Sequence, residues 1–156
     1  GLRVGISTAQ ALGLAWQVPV VGICSLDALV AQVDVDGDVL VHADARRKEW
    51  YWAAYDAQRT RIAGPHVNRP DELPAVVGEL PAFGDLRPHA RIIAARARDL
   101  MNSGEPMVAP ITHLSAHGTD TGETASALGT ARLLAPYPLY LRRPDAVAPA
   151  TPRGAA

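Results

Sequence analysis

Apolar residues at the start of the chain recur with the period of an α-helix. Residues 2–16 carry them on nearly every side, and Arg3, Ser7 and Gln10 form a narrow polar seam. Hydrophobicity distributed in this way predicts a helix that is buried on more than one side.

Small residues recur along the same helix at four-residue spacing, at Gly5, Ala9 and Gly13. Each glycine lowers helix propensity by roughly 1 kcal/mol relative to alanine, so the strip indicates a compensating contact. We therefore expect another backbone to approach this strip closely.

The pattern that follows alternates between strands and helices. Residues 20–23 predict a short buried strand, Ser25 is placed as the N-cap of a helix over residues 26–33, and an apolar strand begins at Val39. Residues 50–55 are apolar or aromatic at odd and even positions alike, which predicts a strand in a sheet covered on both faces. These elements indicate a mixed α/β protein. The remaining predicted elements are a strand at 59–62, a helix at 71–77 broken by Pro74, helices at 90–101 and 123–134, and a strand at 139–141.

The composition of the chain limits the classes of protein to which it can belong. With 156 residues, 48% of them hydrophobic, the chain can build a globular core. Its formal net charge of −1 provides no overall field that would attract nucleic acid. The single cysteine, Cys24, excludes an intramolecular disulfide and fits a reducing compartment. No leader or long apolar stretch is visible, so we expect a cytoplasmic protein that does not enter a membrane.

The sequence offers one candidate metal site and one candidate nucleophile, but neither belongs to a recognised motif. His113 and His117 have the i, i+4 spacing of a metal-binding pair, and Asp120 would be a third ligand, but they lie in a Gly/Thr-rich stretch without helical pattern. Cys24 precedes a helix N-terminus, which generally lowers a thiol pKa, yet no base is placed beside it in the sequence. The simpler interpretations, a solvated loop and a small buried residue, lead us to expect no catalytic residue and no metal site.

The strand that begins at Val39 leads into a charged turn defined by Asp44, Ala45, Arg46 and Glu49. In nucleotide-binding folds whose lobe opens with two strands, glycines in such a turn let backbone N–H groups close around phosphate oxygens. This turn has no glycine, so we interpret it as a degenerate phosphate loop. A surface hairpin with solvated charges is the alternative.

Three segments, in this order, resemble the TsaB (YeaZ) family: GLRVGISTAQALGLAW, VLVHADARRKEWYWAAYD and PLYLRRPDA. The resemblance implies an α/β, actin-like (ASKHA, ribonuclease H-like) two-lobe fold with an incomplete first lobe. The family carries an N-terminal half-lobe ahead of the position of Gly1, so we expect a chain that starts late. The implied domains are residues 1–35 as the remnant of the first lobe, 36–143 as the second lobe with an irregular segment at 86–135, and 144–156 as a disordered tail.

The same resemblance implies a function without catalysis. Family members support the formation of threonylcarbamoyladenosine at position 37 of tRNAs that read codons beginning with adenine. The implied partners are a TsaD-type catalytic subunit and a TsaE-type ATPase, with a homodimer as a further option and tRNA contacted only indirectly. No cofactor is implied, except ATP at an interface shared with partner subunits. The predicted partner interface on the first helix consists of Leu2, Gly5, Ile6, Ala9, Leu12 and Gly13.

Two other interpretations stay open. An actin-like ATP-dependent phosphotransferase or a glycoprotease-like hydrolase would need a phosphate nest or a metal site, and neither the charged turn nor the His113/His117 pair supplies one clearly. A truncated product without function is the third interpretation, motivated by the late start and the irregular middle of the chain.

Overall fold

The structure, a computed structural model, describes residues 1–104, 106–108, 133–139 and 141. Its elements are helices α1 (Leu2–Trp16), α2 (Ser25–Leu29), α3 (Ala75–Gly78) and α4 (Ala90–Asn102), and strands β1 (Val39–Asp44), β2 (Trp50–Tyr55), β3 (Arg61–Asn68), β4 (Ala82–Phe83), β5 (Met107–Val108) and β6 (Leu133–Leu134).

The central element is a four-stranded sheet with the order β3-β2-β1-β4. The pairs β1·β2 and β2·β3 are antiparallel, whereas β4 runs parallel to β1. The register places Val41 opposite Ala53 and His42 opposite Trp52, so neighbouring residues point to opposite faces of the sheet. The mixed α/β class predicted from the sequence is confirmed.

Both faces of the sheet are buried, as the pattern of β2 predicts. Helix α2 covers one face, and α3 with the segment before it covers the other. The core under α2 consists of Cys24, Leu26, Leu29, Val30, Val33, Val39, Val41, Ala53 and Tyr55. The second core consists of Leu40, Trp52, Ala54 and Val77.

Strand β3 forms one edge of this sheet and is irregular in the middle. Its pairing with β2 shifts register beside Gly64 and Pro65. Gly64 has a φ of 86°, and a Cβ at this position would lie 2.7 Å from the Trp52 carbonyl oxygen, so only glycine fits here. Proline has no amide hydrogen to donate. Pro65 is tolerated because β3 is an edge strand, in which some positions need no hydrogen-bond partner from a neighbouring strand.

Three expectations near the start of the sheet are wrong in detail. Ser25 is not an N-cap: α2 begins at Ser25 itself, Cys24 occupies the cap position, and no side chain caps the helix. The strand expected at residues 20–23 is reduced to one bridge between Gly22 and Leu134. Strand β3 begins at Arg61 because the side chain of Asp56 accepts hydrogen bonds from the amides of residues 58 and 60 and forms a turn there.

Later expectations are met in part. The helix at 90–101 is confirmed as α4, and Pro74 separates a 3-10 turn (Pro70–Glu72) from α3. Leu133 and Leu134 belong to β6, which pairs parallel with β5, and not to the end of a helix. Leu139 and Leu141 are not in a strand. The rest of the helix expected at 123–134, His113, His117, Asp120 and the tail at 144–156 lie outside the described residues.

Helix α1 has the bounds that its periodicity predicts, but it is not buried on several sides. Gly13 is its only buried residue, while Val4, Leu14 and Trp16 expose 69%, 82% and 68% of their surface. None of the helices in the described part of the chain is long and apolar enough to span a bilayer.

Candidate functional site

The inner side of α1 is narrow. Gly13 packs against Val18 and Val20, and a Cβ at Gly13 would collide with the Val20 side chain. Gln10 donates a hydrogen bond from its side-chain amide to the carbonyl oxygen of Pro136 at 3.0 Å. These contacts anchor the C-terminal half of the helix, and most of its other residues are exposed.

The predicted partner-interface residues divide between the two sides of α1. Leu2, Gly5, Ala9 and Leu12 are exposed, and no atom lies within 4 Å of a Cβ built at Gly5. Ile6 is half-buried and Gly13 is buried. We refer to the four exposed residues as the docking face; the close backbone approach expected at Gly13 is satisfied within the chain.

The charged turn connects β1 to β2 and is closed by its own hydrogen bonds. The Ala45 amide donates to the Glu49 carbonyl at 2.9 Å, and the Glu49 amide donates to the Arg46 carbonyl at 3.0 Å. The Arg46 amide donates to the Asp44 carboxylate at 2.8 Å. Ala45 is buried beneath the turn. Three amides that a phosphate cradle would use are therefore already engaged inside the turn.

The outer part of this turn has an unusual backbone. Arg46, Arg47 and Lys48 are consecutive and all left-handed, with φ values of 65°, 56° and 63°. A left-handed conformation costs a non-glycine residue roughly 1–2 kcal/mol, and glycine or asparagine would adopt it more easily. The three side chains are exposed and cationic. The turn thus holds three positive charges at strained positions on the surface.

Beside the turn, the histidine of β1 is packed against its neighbours. The His42 ring stacks on Trp50 with a centroid distance of 3.7 Å and an interplanar angle of 13°. It also approaches Gly84 so closely that a Cβ there would collide with the imidazole. Burial lowers the pKa of His42, and the nearby Asp85 carboxylate partly opposes this effect. The neutral ring therefore joins the β1–β2 hairpin to the end of β4.

A second histidine lies on the same face of the sheet. His66 is opposite Trp52, with ring centroids 5.1 Å apart, and burial lowers its pKa as well. The Trp52 indole N–H donates to the Asn68 side-chain oxygen at 3.0 Å. Within the described residues, no group of three or more His, Cys, Asp or Glu side chains is arranged to hold a metal ion.

Under the opposite face lies a buried polar cluster that ties α2 to the sheet. Tyr55 donates from its hydroxyl to the Asp27 carboxylate at 2.8 Å, and an Arg61 guanidinium nitrogen lies 3.5 Å from the same oxygen. Asp27 and Arg61 are 1% and 4% exposed. Burial and the Asp27 charge raise the pKa of the Tyr55 hydroxyl, so it remains a neutral donor.

Cys24 lies next to this cluster and is buried. Burial first, and the neighbouring Asp27 charge second, raise the pKa of the Cys24 thiol to about 11. The thiol is therefore protonated near neutral pH, which is unfavourable for a nucleophile. The interpretation as a small core residue is supported, and the lowering effect expected of a helix N-terminus is outweighed by burial.

Sequence reasoning missed the ion-pair cluster and the stacked His42. Asp27 lies in the first turn of α2, where a negative charge is favourable. The signal was its position inside an apolar run, between Leu26 and Ala28, because a carboxylate that is enclosed in this way needs a donor or a cation. Nothing in the sequence pairs it with Arg61, which is far away along the chain.

Comparison with known proteins identifies the family. The family model described as TsaD, tRNA N6-adenosine threonylcarbamoyltransferase, matches residues 1–84. This segment contains α1, α2, the charged turn and the whole four-stranded sheet.

Mycobacterial proteins are similar over nearly the whole chain. An uncharacterized protein of Mycobacterium leprae (strain TN) is 40% identical over 149 residues, which is 94% of this chain and 35% of that protein. An uncharacterized protein of Mycobacterium tuberculosis (strain H37Rv) is 37% identical over 146 residues, which is 94% of this chain and 60% of that protein. The chain thus spans between about a third and three fifths of the length of these relatives.

Two solved structures share the fold. YeaZ from Pseudomonas aeruginosa superposes with a TM-score of 0.57 and 23% identity, covering 67% of this chain and 62% of that chain. A second Pseudomonas aeruginosa protein, described as similar to peptidase YeaZ, gives the same TM-score with 22% identity and the same coverage. YeaZ has the actin-like fold, which confirms the expected fold class. The chain therefore belongs to the family described as TsaD, tRNA N6-adenosine threonylcarbamoyltransferase, and within it has the fold of YeaZ (TsaB).

Proposed function

We propose that this chain acts as a non-catalytic, TsaB-type subunit in the formation of threonylcarbamoyladenosine at position 37 of tRNAs that read codons beginning with adenine. Its role is to bind and support a TsaD-type catalytic subunit. A TsaE-type ATPase joins the same assembly, and ATP binds only where subunits share an interface.

The exposure of α1 is the observation that carries this proposal. A fifteen-residue helix with apolar residues on most sides leaves all but one of its residues at least partly accessible. Exposed apolar surface of this extent is typical of a protein–protein contact. On the docking face, Gly5 and Ala9 allow a second helix to approach closely, and Leu2 and Leu12 supply apolar area beside them.

The charged turn supports the non-catalytic part of the proposal. A phosphate loop needs backbone amides that point at the ligand, whereas the amides of Ala45, Arg46 and Glu49 donate within the turn. Residues 45–49, between β1 and β2, include no glycine, and their side chains also obstruct a close approach of phosphate to the backbone. The turn is thus better suited to maintain the hairpin than to hold a nucleotide.

Two substitutions on the same helix test the docking face. Ala9→Arg places a long cation on that face, while Ala11→Arg places the same cation on another exposed side of α1. We expect Ala9→Arg to weaken binding to the TsaD-type subunit about tenfold or more, measured by calorimetry, and Ala11→Arg to leave it unchanged. Both variants should unfold at the wild-type temperature, because both positions are exposed.

The results distinguish docking of the TsaD-type subunit from docking of a second copy of this chain. Equal loss of affinity in both variants would show that the whole helix is engaged, and no loss in either would refute docking through α1. If Ala9→Arg instead dissociates a dimer without changing affinity for the TsaD-type subunit, the face belongs to a second copy of this chain. The enzymatic alternative makes a different prediction, namely ATP turnover by the chain alone that is lost on replacing residues of the turn.

A further inference from the structure

The cationic tip of the β1–β2 turn remains unexplained by subunit docking. Arg46, Arg47 and Lys48 form its outer part, and Asp44 and Glu49 stand at its base where the two strands meet. In the sequence, the three cations lie between the two carboxylates. Helix α1, which carries the docking face, is a different element.

Three cationic residues with left-handed backbones in one surface turn are energetically unfavourable, and this cost calls for a functional explanation. Three neighbouring positive charges repel one another, and each occupies a left-handed backbone position that asparagine or glycine would accept more easily. Backbone strain of this kind is concentrated at ligand-binding and other functional sites. The hydrogen bonds that close the turn join backbone groups and the Asp44 carboxylate, and the side chains of Arg46 and Lys48 take no part in them.

The chemistry of the tip favours phosphate held from outside the turn. Arginine forks match phosphate oxygens in a bidentate manner, and lysine binds them as a point charge. The amides of Ala45, Arg46 and Glu49 donate within the turn and are not available to an anion, whereas the cationic side chains of Arg46 and Lys48 are exposed. This geometry suits an extended polyanion that lies across the tip better than a single nucleotide in a cradle.

We propose that Arg46 and Lys48 contact the phosphate groups of an RNA strand. Trp50 follows this turn directly, but its half-buried ring is stacked on His42, so the proposed contact is with phosphate groups and not with a stacked base. The net charge of −1 provides no general attraction for RNA, so the contact is confined to this turn. The choice of tRNA as the RNA rests on the proposed function; the contact itself involves this chain alone.

The experiment measures binding of unmodified tRNA to the isolated chain by fluorescence anisotropy as salt is raised from about 50 to 200 mM. The test variant is the double substitution Arg46→Asn, Lys48→Asn, since asparagine tolerates the left-handed region and keeps the turn. We expect a loss of affinity of about ten- to a hundredfold at low salt and a shallower salt dependence, by about 1.5 in the log–log slope. The variant should unfold at the same temperature as the wild type or higher.

A matched control removes the same charge elsewhere. Arg87→Gln, Arg91→Gln changes two exposed cations in and just before α4, and it should keep wild-type affinity and slope. An equal loss in this control would overturn the proposal in favour of net charge alone. Undetectable binding by the wild-type chain, or unchanged binding by the asparagine variant, would also overturn it.

Competition distinguishes the source of the phosphate. Tripolyphosphate and ATP should displace tRNA only at concentrations where their ionic strength explains the effect. Displacement at much lower concentration, lost in the asparagine variant, would replace RNA with a free nucleotide. If the variant binds tRNA normally but loses affinity for the TsaD-type subunit, the tip is a protein contact and the RNA proposal fails. None of these measurements depends on docking through α1, so the two proposals can fail separately.

Discussion

In the four-stranded sheet, Trp52 and Tyr55 expose at most 2% of their surface, whereas Leu14 and Trp16 of α1 expose 82% and 68%. Both regions are rich in apolar residues, and both have the secondary structure that their periodicity predicts. They differ in the number of neighbours that the chain itself provides. The sheet lies between α2 and α3, while α1 is held along one side only. The difference indicates that burial in the sheet stabilises the fold, whereas α1 mainly provides exposed apolar surface.

The largest effect should follow from breaking the buried cluster between α2 and the sheet. Asp27→Ala removes the acceptor of the Tyr55 hydroxyl and the carboxylate closest to Arg61. We expect a loss of about 3–5 kcal/mol in the free energy of unfolding, because a buried guanidinium loses its counter-charge. Urea denaturation measures this, with Asp34→Ala as an exposed control. A loss below about 1 kcal/mol would show that the sheet is not the more strongly held region.

A matched pair of leucines compares the two regions directly. Leu40→Ala in β1 should cost about 2–5 kcal/mol, because it leaves a cavity between the sheet and α3. Leu14→Ala in α1 should change stability by less than about 0.5 kcal/mol, since the side chain is exposed and alanine favours helix. Similar losses at both positions would contradict the difference in burial. Thermal or urea unfolding of the two variants gives the comparison.

Within α1, two glycines sharpen the comparison further. Gly13→Ala should destabilise the protein by about 1–2 kcal/mol, because the added methyl group meets Val20 and the Val18 carbonyl. Gly5→Ala should stabilise it by about 0.5–1 kcal/mol, since nothing lies near the new methyl group. Opposite signs in urea denaturation would confirm that only the Gly13 side of α1 is packed. Stabilisation by both variants would place α1 free of the rest of the chain.

The smallest effect concerns pH and the two histidines of the sheet. Burial lowers the pKa of His42 and of His66 from 6.5, so the unfolded chain binds more protons than the folded chain in mild acid. Their contribution to stability should be complete above about pH 6.5 and decline as the pH falls through that value. The double variant His42→Gln, His66→Gln should flatten this decline, which urea denaturation at several pH values measures. A wild-type stability that does not change between about pH 7 and 5 would contradict the packing of both rings.

The secondary structure was predictable where the hydrophobic pattern is strong. Helix α1 and strand β2 were placed within a residue because their apolar patterns are long or continuous. The first hairpin strand begins at Val39, as predicted. Boundaries failed where a side chain sets them, as at Arg61, where the Asp56 carboxylate organises the preceding turn.

The residues of the candidate site were predictable from the sequence, but the contacts that they make were not. The absence of glycine in the charged turn was visible in the sequence, but its left-handed backbone and internally bonded amides were not. Likewise, the small residues of α1 were evident, while their division into a packed Gly13 and an open Gly5 depends on Val18 and Val20, which follow the helix. Burial depends on neighbours that a local pattern does not encode.

Pro65 at the outer strand of the sheet has a consequence for how copies of this protein can meet. A proline carries no amide hydrogen, and the register shift beside it bends β3, so this border is a poor template for the strand of another molecule. Fibre-like stacking through the sheet is therefore disfavoured even though the molecule exposes considerable apolar area on α1. Self-association through the exposed apolar side chains of α1 would instead be a helix contact.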